Sequence, residues 1–345
     1  MDSCFDCLLP YLSETNKTTL LIVDENALEN ALIADHNKLT VVTNRFDVFL
    51  QLKQQSVDCF FSDFDFNGFV SSSFDQILYR VSKEKPIVHH IINQSSHLLK
   101  NNGYLVLTGK KNDGIKTYCQ KASKSLGVKT NTKKTGNYYT CAVTKKTVSG
   151  DLLDDKNYTA IRQVFTFNQS AIHSKPGVFG WSKPDQGSQL LIEAAQKWID
   201  KQACKPLSLL DLGCGYGLLT MASLAWQSIL ERTATDNNAA ALACVEYNAK
   251  QHDAGINVVA ADCAIGIDAC YDLILCNPPF HQGFDVDSNL TKKFINQAYS
   301  HLKKDGSALF VVNQFINIQK YAEPLFSEII ELTSDKQFKV FKFSR

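Results

Sequence analysis

The sequence predicts an α/β protein built as two tandem Rossmann-like domains. Each is expected to be a mostly parallel seven-stranded sheet with helices on both faces and a C-terminal antiparallel hairpin. Three observations predict this. The 345 residues suit two cores of about 150–180 residues better than one. Short apolar runs alternate with helix-like runs through the second half, and such alternation implies a parallel sheet covered by helices. Segments of the first half also echo the second, as tandem copies of one fold would.

Taken in order, strands are expected at residues 18–23, 39–43, 57–62 and 104–108, with helical stretches between them. A Lys-, Asp- and Thr-rich linker at 145–156 divides a first domain, 1–150, from a second, 151–345. In the second, the apolar run 207–212 leads through a glycine-rich turn into a helix at 218–227. A strand at 229–235, a helix at 239–252, strands at 256–260 and 271–276, a helix at 290–302 and a strand at 307–312 follow. Runs 328–333 and 338–343, joined by the polar turn Ser334-Asp335-Lys336-Gln337, read as the closing hairpin. Of the echoes, Ile92-Asn93-Gln94 precedes Gly103 at the interval by which Ile295-Asn296-Gln297 precedes Gly306, with Leu99-Lys100 opposite Leu302-Lys303. Residues 57–63 can likewise be laid over 271–277.

Composition bounds the function class. A hydrophobic content of 44% with 21% charge is ordinary for a soluble globular protein. No apolar run reaches the roughly 18 residues of a membrane span. The acidic opening MDSCFDCLLPYLSE lacks the basic region of a signal peptide, so a cytoplasmic protein without membrane partners is expected. Eleven scattered cysteines, mostly in apolar stretches, read as reduced, buried thiols. Cys4 and Cys7 form the one C-x-x-C, with no second pair, so no metal site is expected. With two cores in one chain, a monomer is the default. Residues 1–150 carry 18 Lys+Arg against 14 Asp+Glu, and from Lys100 to Lys146 eleven lysines face one acid, Asp113. That density suits a phosphate-bearing partner; the alternative is a solvated lysine-rich face.

The chemistry begins at Leu209-Leu210-Asp211-Leu212-Gly213-Cys214-Gly215-Tyr216-Gly217. Alternate glycines between strand and helix let the backbone turn tightly and approach a ligand. Asp211, two positions before the first glycine, would repel a pyrophosphate but attract a sulfonium bearing an amino group, which points to S-adenosylmethionine. Asp236, about 20 residues past the glycines, is placed to grip both ribose hydroxyls. Asn237 could line the adenine pocket, and Asp262, beside Cys263, could accept from the adenine amino group. Any one of these acids also suits a helix N-cap, but three at successive strand ends argue for a cofactor pocket. The expected cofactor set is therefore Asp211, Gly213, Cys214, Gly215, Gly217, Asp236, Asn237, Asp262, Cys263 and Asn277.

Asn277-Pro278-Pro279-Phe280 follows the fourth strand. Two prolines stiffen the loop and remove two backbone donors. The Asn277 side-chain oxygen and the Pro278 carbonyl can then both accept from one planar amino group, favouring a more nucleophilic, tetrahedral nitrogen. Phe280 offers a π-face for a base. These four are the expected catalytic residues. His281 reads as shaping the loop, touching RNA or assisting proton loss; Phe167, Phe179 and His173 read as cofactor cover or as core.

With the glycine loop, Asp236 and NPPF, the second half resembles class I methyltransferases of exocyclic amines and glutamine amides. FTFNQSAIHSKPGVFGWSKPDQGSQLL (165–191), the loop 277–284 and the tail 338–341 narrow this: the chain resembles the bacterial 16S rRNA (guanine-N2)-methyltransferase C family (RsmC). The resemblance is strong over 160–345 and architectural over 1–150. It implies methyl transfer to guanine N2 in 16S rRNA of the small ribosomal subunit. It also implies a catalytic second domain and a degenerate first domain that aids substrate binding and folding. Gly180-Trp181 stands where the family more often has a serine followed by a basic residue, so no role is carried over to 180–183. The first domain reads as degenerate by itself: Asp24-Glu25-Asn26-Ala27 replaces the glycine loop, and Asp63-Phe64-Asp65-Phe66 is the expected counterpart of NPPF. Three alternatives compete: a 23S rRNA guanine-N2 methyltransferase, a protein glutamine-amide methyltransferase (whose motif is NPPY), and a non-catalytic RNA-binding assembly factor. Reaching a paired guanine would require flipping it out of the stack.

Overall fold

The computed structural model describes residues 4–24, 38–129, 132–146, 151–279, 281–282, 285–286 and 288–345. Two compact units, Met1–Ala160 and Ile161–Arg345, divide the chain. Residues 151–160 pack on the first unit: Leu153 N–H donates to the Asn93 side chain at 2.9 Å and Tyr158 to Asp63 at 2.6 Å. Phe280, Gly283, Phe284 and residues 25–27, which carry several of the expectations above, lie outside the described residues.

After a short helix α1 (Leu9–Leu12), the first unit runs β1 (Thr19–Val23), β2 (Leu39–Thr43), α2 (Phe46–Gln54), β3 (Asp58–Phe61) and β4 (Phe74–Arg80). It continues with α3 (Lys85–Leu98), β5 (Leu99–Lys110), α4 (Ile115–Leu126), β6 (Gly127–Lys129), β7 (Lys133–Thr135) and β8 (Tyr138–Lys145). The sheet order is β3-β2-β1-β4-β5-β8-β6, with β7 also on β8, so the outermost place is taken by two short strands. Side chains alternate with the pleat: Leu20, Ile22, Ile77 and Tyr79 enter the core under α3 and α4, while Leu21, Val23 and Leu78 enter the one under α2.

Strand β4 was not legible as a strand, because Asp75, Gln76 and Arg80 interrupt its apolar run. The fold gives each a partner. Asp75 accepts from the Thr18 N–H and hydroxyl, both at 2.8 Å, and from Lys100 at 2.9 Å. Gln76 donates to Thr19 Oγ1 at 2.7 Å, and buried Arg80 pairs with buried Asp113 at 2.9 Å. This strand corrects one echo. In each unit the fourth strand lies between the first and fifth, and Leu21↔Leu78 matches Asp211↔Leu275 in register. The counterpart of NPPF is therefore Arg80-Val81-Ser82-Lys83, not Asp63-Phe64-Asp65-Phe66, and 57–63 belongs to an edge strand. The Arg80–Asp113 pair occupies the place corresponding to Asn277. Arg80→Ala would leave Asp113 as an uncompensated buried charge, so urea unfolding should show a loss of about 3–5 kcal/mol.

The other echo has a physical basis. Asp272 accepts from the Ser208 N–H and hydroxyl at 2.9 and 2.8 Å and from Lys303 at 3.1 Å, as Asp75 does from Thr18 and Lys100. Burial opposes ionisation of Asp75, but the Lys100 ammonium and the Thr18 hydrogen bonds bring it down to about 2. The thiols need a second correction. Cys119 of α4 and Cys141 of β8 face each other in the core and are disulfide-bonded. The other nine are free, and Cys204 and Cys270 among them are exposed rather than buried.

The second unit opens with a hairpin, β9 (Arg162–Phe167) and β10 (Ser170–Ser174), then α5 (Gln186–Lys201), β11 (Ser208–Leu212), α6 (Leu218–Ala222) and β12 (Glu231–Asp236). Next come α7 (Ala239–Gln251), β13 (Asn257–Ala260), β14 (Tyr271–Cys276), β15 (His281–Gln282) and β16 (Asp285–Val286). The chain ends with α8 (Ser288–Ser300), β17 (Leu302–Asn313), α9 (Gln319–Ala322), β18 (Glu328–Ser334) and β19 (Phe338–Ser344). Its seven-stranded sheet has the order β13-β12-β11-β14-β17-β19-β18. The strands from β13 to β17 are parallel, and β19 and β18 close the edge as an antiparallel hairpin. Leu209, Leu273, Leu275, Leu309 and Val311 pack on the face of α5, and Leu210, Ile274, Cys276 and Phe310 on the face of α8. This alternation carries Asp211 and Asn277 to the α5 side. Among the described residues, no helix is long and apolar enough to cross a membrane.

Candidate active site

The chain must turn from β11 into α6 within five residues. Gly213, Gly215 and Gly217 do this at φ +79°, +55° and +88°. A Cβ on Gly217 would come within 2.6 Å of Val245 Cγ2, so this glycine lets the loop pack on α7. Among the described residues, a Cβ on Gly215 would meet no atom within 4 Å, which suits backbone that approaches a ligand at the strand ends.

Asp211 is fully buried. Its Oδ2 accepts from Thr220 N–H at 2.9 Å and from the Thr220 hydroxyl at 2.5 Å, while Oδ1 has no partner among the described residues. Burial, with a smaller contribution from the Asp236 charge, raises its carboxyl to about 7 against the opposing Thr220 bonds. Buried Tyr216 Oη and Ser174 Oγ also lack hydrogen-bond partners among the described residues. Unpartnered buried polar atoms of this kind fit a polar ligand, and an oxygen needing positive charge fits a cationic one.

A pH dependence follows. The folded carboxyl binds its proton more tightly than the unfolded one, so its stabilising contribution is full below about pH 4 and is lost as pH rises through about 7. A cation prefers the ionised form, so affinity for S-adenosylmethionine should rise between pH 6 and 8. Calorimetry of Asp211→Asn should show that rise flattened.

Asp236 spans the loop: Oδ2 accepts from Gly215 N–H and Oδ1 from Asn238 N–H, both at 2.9 Å. Asn237, half-buried beside it, precedes Asn238, which caps α7 by accepting from Ala240 N–H at 2.8 Å. Cys214 and Cys263 are buried, and burial pushes the Cys214 thiol far up. Cys263 and Ala264 both adopt left-handed backbone, φ +51° and +64°, turning the chain sharply after Asp262. Asp262 Oδ2 is ion-paired with Lys293 of α8, a partner that the sequence did not suggest.

The Asn277 amide nitrogen donates to Asp185 Oδ2 at 2.7 Å and to Ser188 Oγ at 2.9 Å. A carboxylate can only accept, so the nitrogen must face Asp185 and the oxygen must face away. Asp185 itself caps α5, accepting from Ser188 N–H at 2.8 Å. Pro278 is buried and Pro279 exposed. Thus the two amide donors are engaged, and the Asn277 oxygen is turned away from Asp185.

Several positioning residues escaped the sequence reading. The D-x-G-S segment at 185–188 is an N-cap signature, yet nothing local shows that it holds Asn277. Buried Asn248 accepts from His173 N–H at 2.8 Å and donates to the His173 and Tyr216 carbonyls, both at 2.9 Å, tying β10 to the glycine loop. His173 is thus part of that tie, Phe167 packs against the core, and Phe179 is exposed. The grooves flanking α5, one lined by Leu190 and Trp198 and one by Ala222 and Trp226, contain none of the expected site residues. Among the described residues, no group of three or more His, Cys, Asp or Glu is placed to hold a metal ion.

Comparison with known proteins adds independent findings. A family described as Methyltransferase small domain matches residues 169–342, and Methyltransferase small domain N-terminal matches 12–151. The chain is 25% identical over 330 residues to a Shewanella loihica protein named ribosomal RNA small subunit methyltransferase C, covering 94% of each chain. A Psychromonas ingrahamii protein of the same name is 27% identical, covering 94% of this chain and 92% of the relative. A solved structure of a T. thermophilus 16S rRNA N2 methyltransferase (RsmC), in complex with AdoMet and guanosine, has a similar fold. Its TM-score is 0.80 at 22% identity, covering 95% of this chain and 88% of that one.

Proposed function

Because the chain belongs to the methyltransferase small domain family, we propose that it transfers a methyl group from S-adenosylmethionine to the exocyclic N2 of a guanosine in 16S rRNA of the small ribosomal subunit. The relatives above are named ribosomal RNA small subunit methyltransferase C, and the T. thermophilus protein is named a 16S rRNA N2 methyltransferase. The observation that carries the reading is the fixed Asn277 amide, whose nitrogen is held by Asp185 and Ser188 so that its oxygen is left to accept. When bound, the cofactor supplies a methyl carbon made electrophilic by its sulfonium. Asp211, the open backbone at Gly215 and the Asp236 carboxylate would hold it.

The protein's own contribution is orientation and electrostatics. Two converging acceptors take the two N–H groups of the amino nitrogen and leave its lone pair aimed at the methyl carbon. As positive charge grows on that nitrogen, the same oxygens stabilise it. The methylated amine then sheds a proton readily, so no strong base is required. The lysine-rich stretch supports an RNA substrate: its single acid, Asp113, is spent inward on Arg80, while Lys116 lies over the Tyr139 ring at 4.7 Å. A monomeric, cytoplasmic enzyme is the accompanying expectation.

The test is methyl transfer from radiolabelled S-adenosylmethionine to undermethylated small subunits, large subunits and protein extract. Label in 16S rRNA guanosine is the expected result. Label in 23S rRNA or in protein would keep the chemistry and replace the substrate. Cofactor binding without any transfer would favour an assembly factor.

A further inference from the structure

Phe179 and Phe315 are the most exposed large apolar side chains among the described residues, at 80% and 96%. Both sit on tight turns anchored to the core. Trp181 N–H bonds to Val178 O at 3.2 Å, Val178 is buried, and Gly177 O accepts from the Asn238 amide at 3.4 Å. On the other turn, Ile316 N–H bonds to Asn313 O at 2.9 Å, and Gln314 N–H bonds to Gln337 O at 2.9 Å. The Gln314 amide also donates to Asp335 O at 2.5 Å. These turns hold two phenyl rings in water, an arrangement for which the core provides no reason.

Their places in the fold bracket the acceptor pair. Asn313 ends β17, the strand beside β14, whose own end leads into Asn277-Pro278-Pro279. Phe315 is two residues further on. Phe179 lies on the opposite flank, its turn tied to Asn238 at the end of β12, beyond β11. A protein-docking face would be a contiguous apolar patch. These rings stand singly instead, beside the exposed polar residues Asn317 and Lys183. Single π-faces on either side of a site for a nucleobase amine suit stacked bases.

We propose that Phe179 and Phe315 are stacking seats for the nucleobases flanking the target guanosine, so that the enzyme takes an unstacked, single-stranded RNA segment. This inference rests on the guanosine reading above. Both positions are exposed, so their alanine variants should fold normally. The probe is a guanosine-centred single-stranded oligoribonucleotide with 2-aminopurine on one side or the other, followed by methyl transfer to undermethylated subunits. Wild-type protein should quench both fluorophores. Phe179→Ala and Phe315→Ala should each lose the quench on one flank and lower kcat/KM for rRNA at least about fivefold. Tryptophan at either position should restore both readouts, with S-adenosylmethionine affinity unchanged. Intact quenching and wild-type kcat/KM in the alanine variants would overturn the inference while leaving the guanosine reading in place. Weakened cofactor binding in Phe179→Ala would make that ring a cofactor cover and overturn its seat. If the wild-type enzyme labels no guanosine, the reading beneath the inference fails and the inference falls with it.

Discussion

Asn277→Ala should lower methyl transfer by about 10²–10³-fold, the loss typical of removing one preorganised group that stabilises developing charge. Affinity for S-adenosylmethionine should change far less, within about fivefold, because the glycine loop, Asp211 and Asp236 are untouched. The isosteric Asn277→Asp should be as damaging for another reason. It would set a carboxylate oxygen where the amide nitrogen now lies 2.7 Å from Asp185 Oδ2, and like charges at that distance repel strongly. Single-turnover rates beside calorimetric cofactor affinities would decide the matter. A variant that kept more than a tenth of the wild-type rate would remove Asn277 from the chemistry.

The second large effect is expected at Asp185, which touches no reacting atom and acts through Asn277. Asparagine is as good an N-cap as aspartate, so Asp185→Asn should preserve α5. It loses the obligatory acceptor, however, and the Asn277 amide can then turn over and present nitrogen to the substrate. We expect kcat to fall about 10–100-fold with KM for S-adenosylmethionine unchanged, as for other small misplacements of a reacting group. A double variant separates positioning from general damage. Asp185→Asn should cost little on top of Asn277→Ala, since the group that it positions is gone. Multiplying losses would assign Asp185 a role independent of Asn277.

Much of the site was legible because its parts are local in sequence. A strand followed by alternate glycines, an acid at the next strand end and NPPF after the fourth strand are short segments whose chemistry does not depend on distant residues. The pleat then carries Asp211 and Asn277 to the face of α5 as surely as it buries Leu209 and Leu275. The fourth strand of the first unit shows the opposite case. Asp75, Gln76 and Arg80 break the apolar pattern, and only the fold brings Thr18, Thr19 and Asp113 to them as partners. Missing that strand displaced the counterpart of NPPF by one strand.

By itself, then, the sequence determined the α/β class and the doubled layout, and it located the expected cofactor loop and the NPPF motif, because each is written in periodicity or in a contiguous motif. Tertiary structure decided which way Asn277 points, since the carboxylate that orients it lies 92 residues away. It also joined Asp262 to Lys293 across 31 residues, paired Cys119 with Cys141, and lifted Phe179 and Phe315 into solvent. The physical reason is common to all of these. A side chain's protonation, orientation and exposure depend on which atoms surround it, and those atoms come together only when the sheet order brings distant segments to the same strand ends.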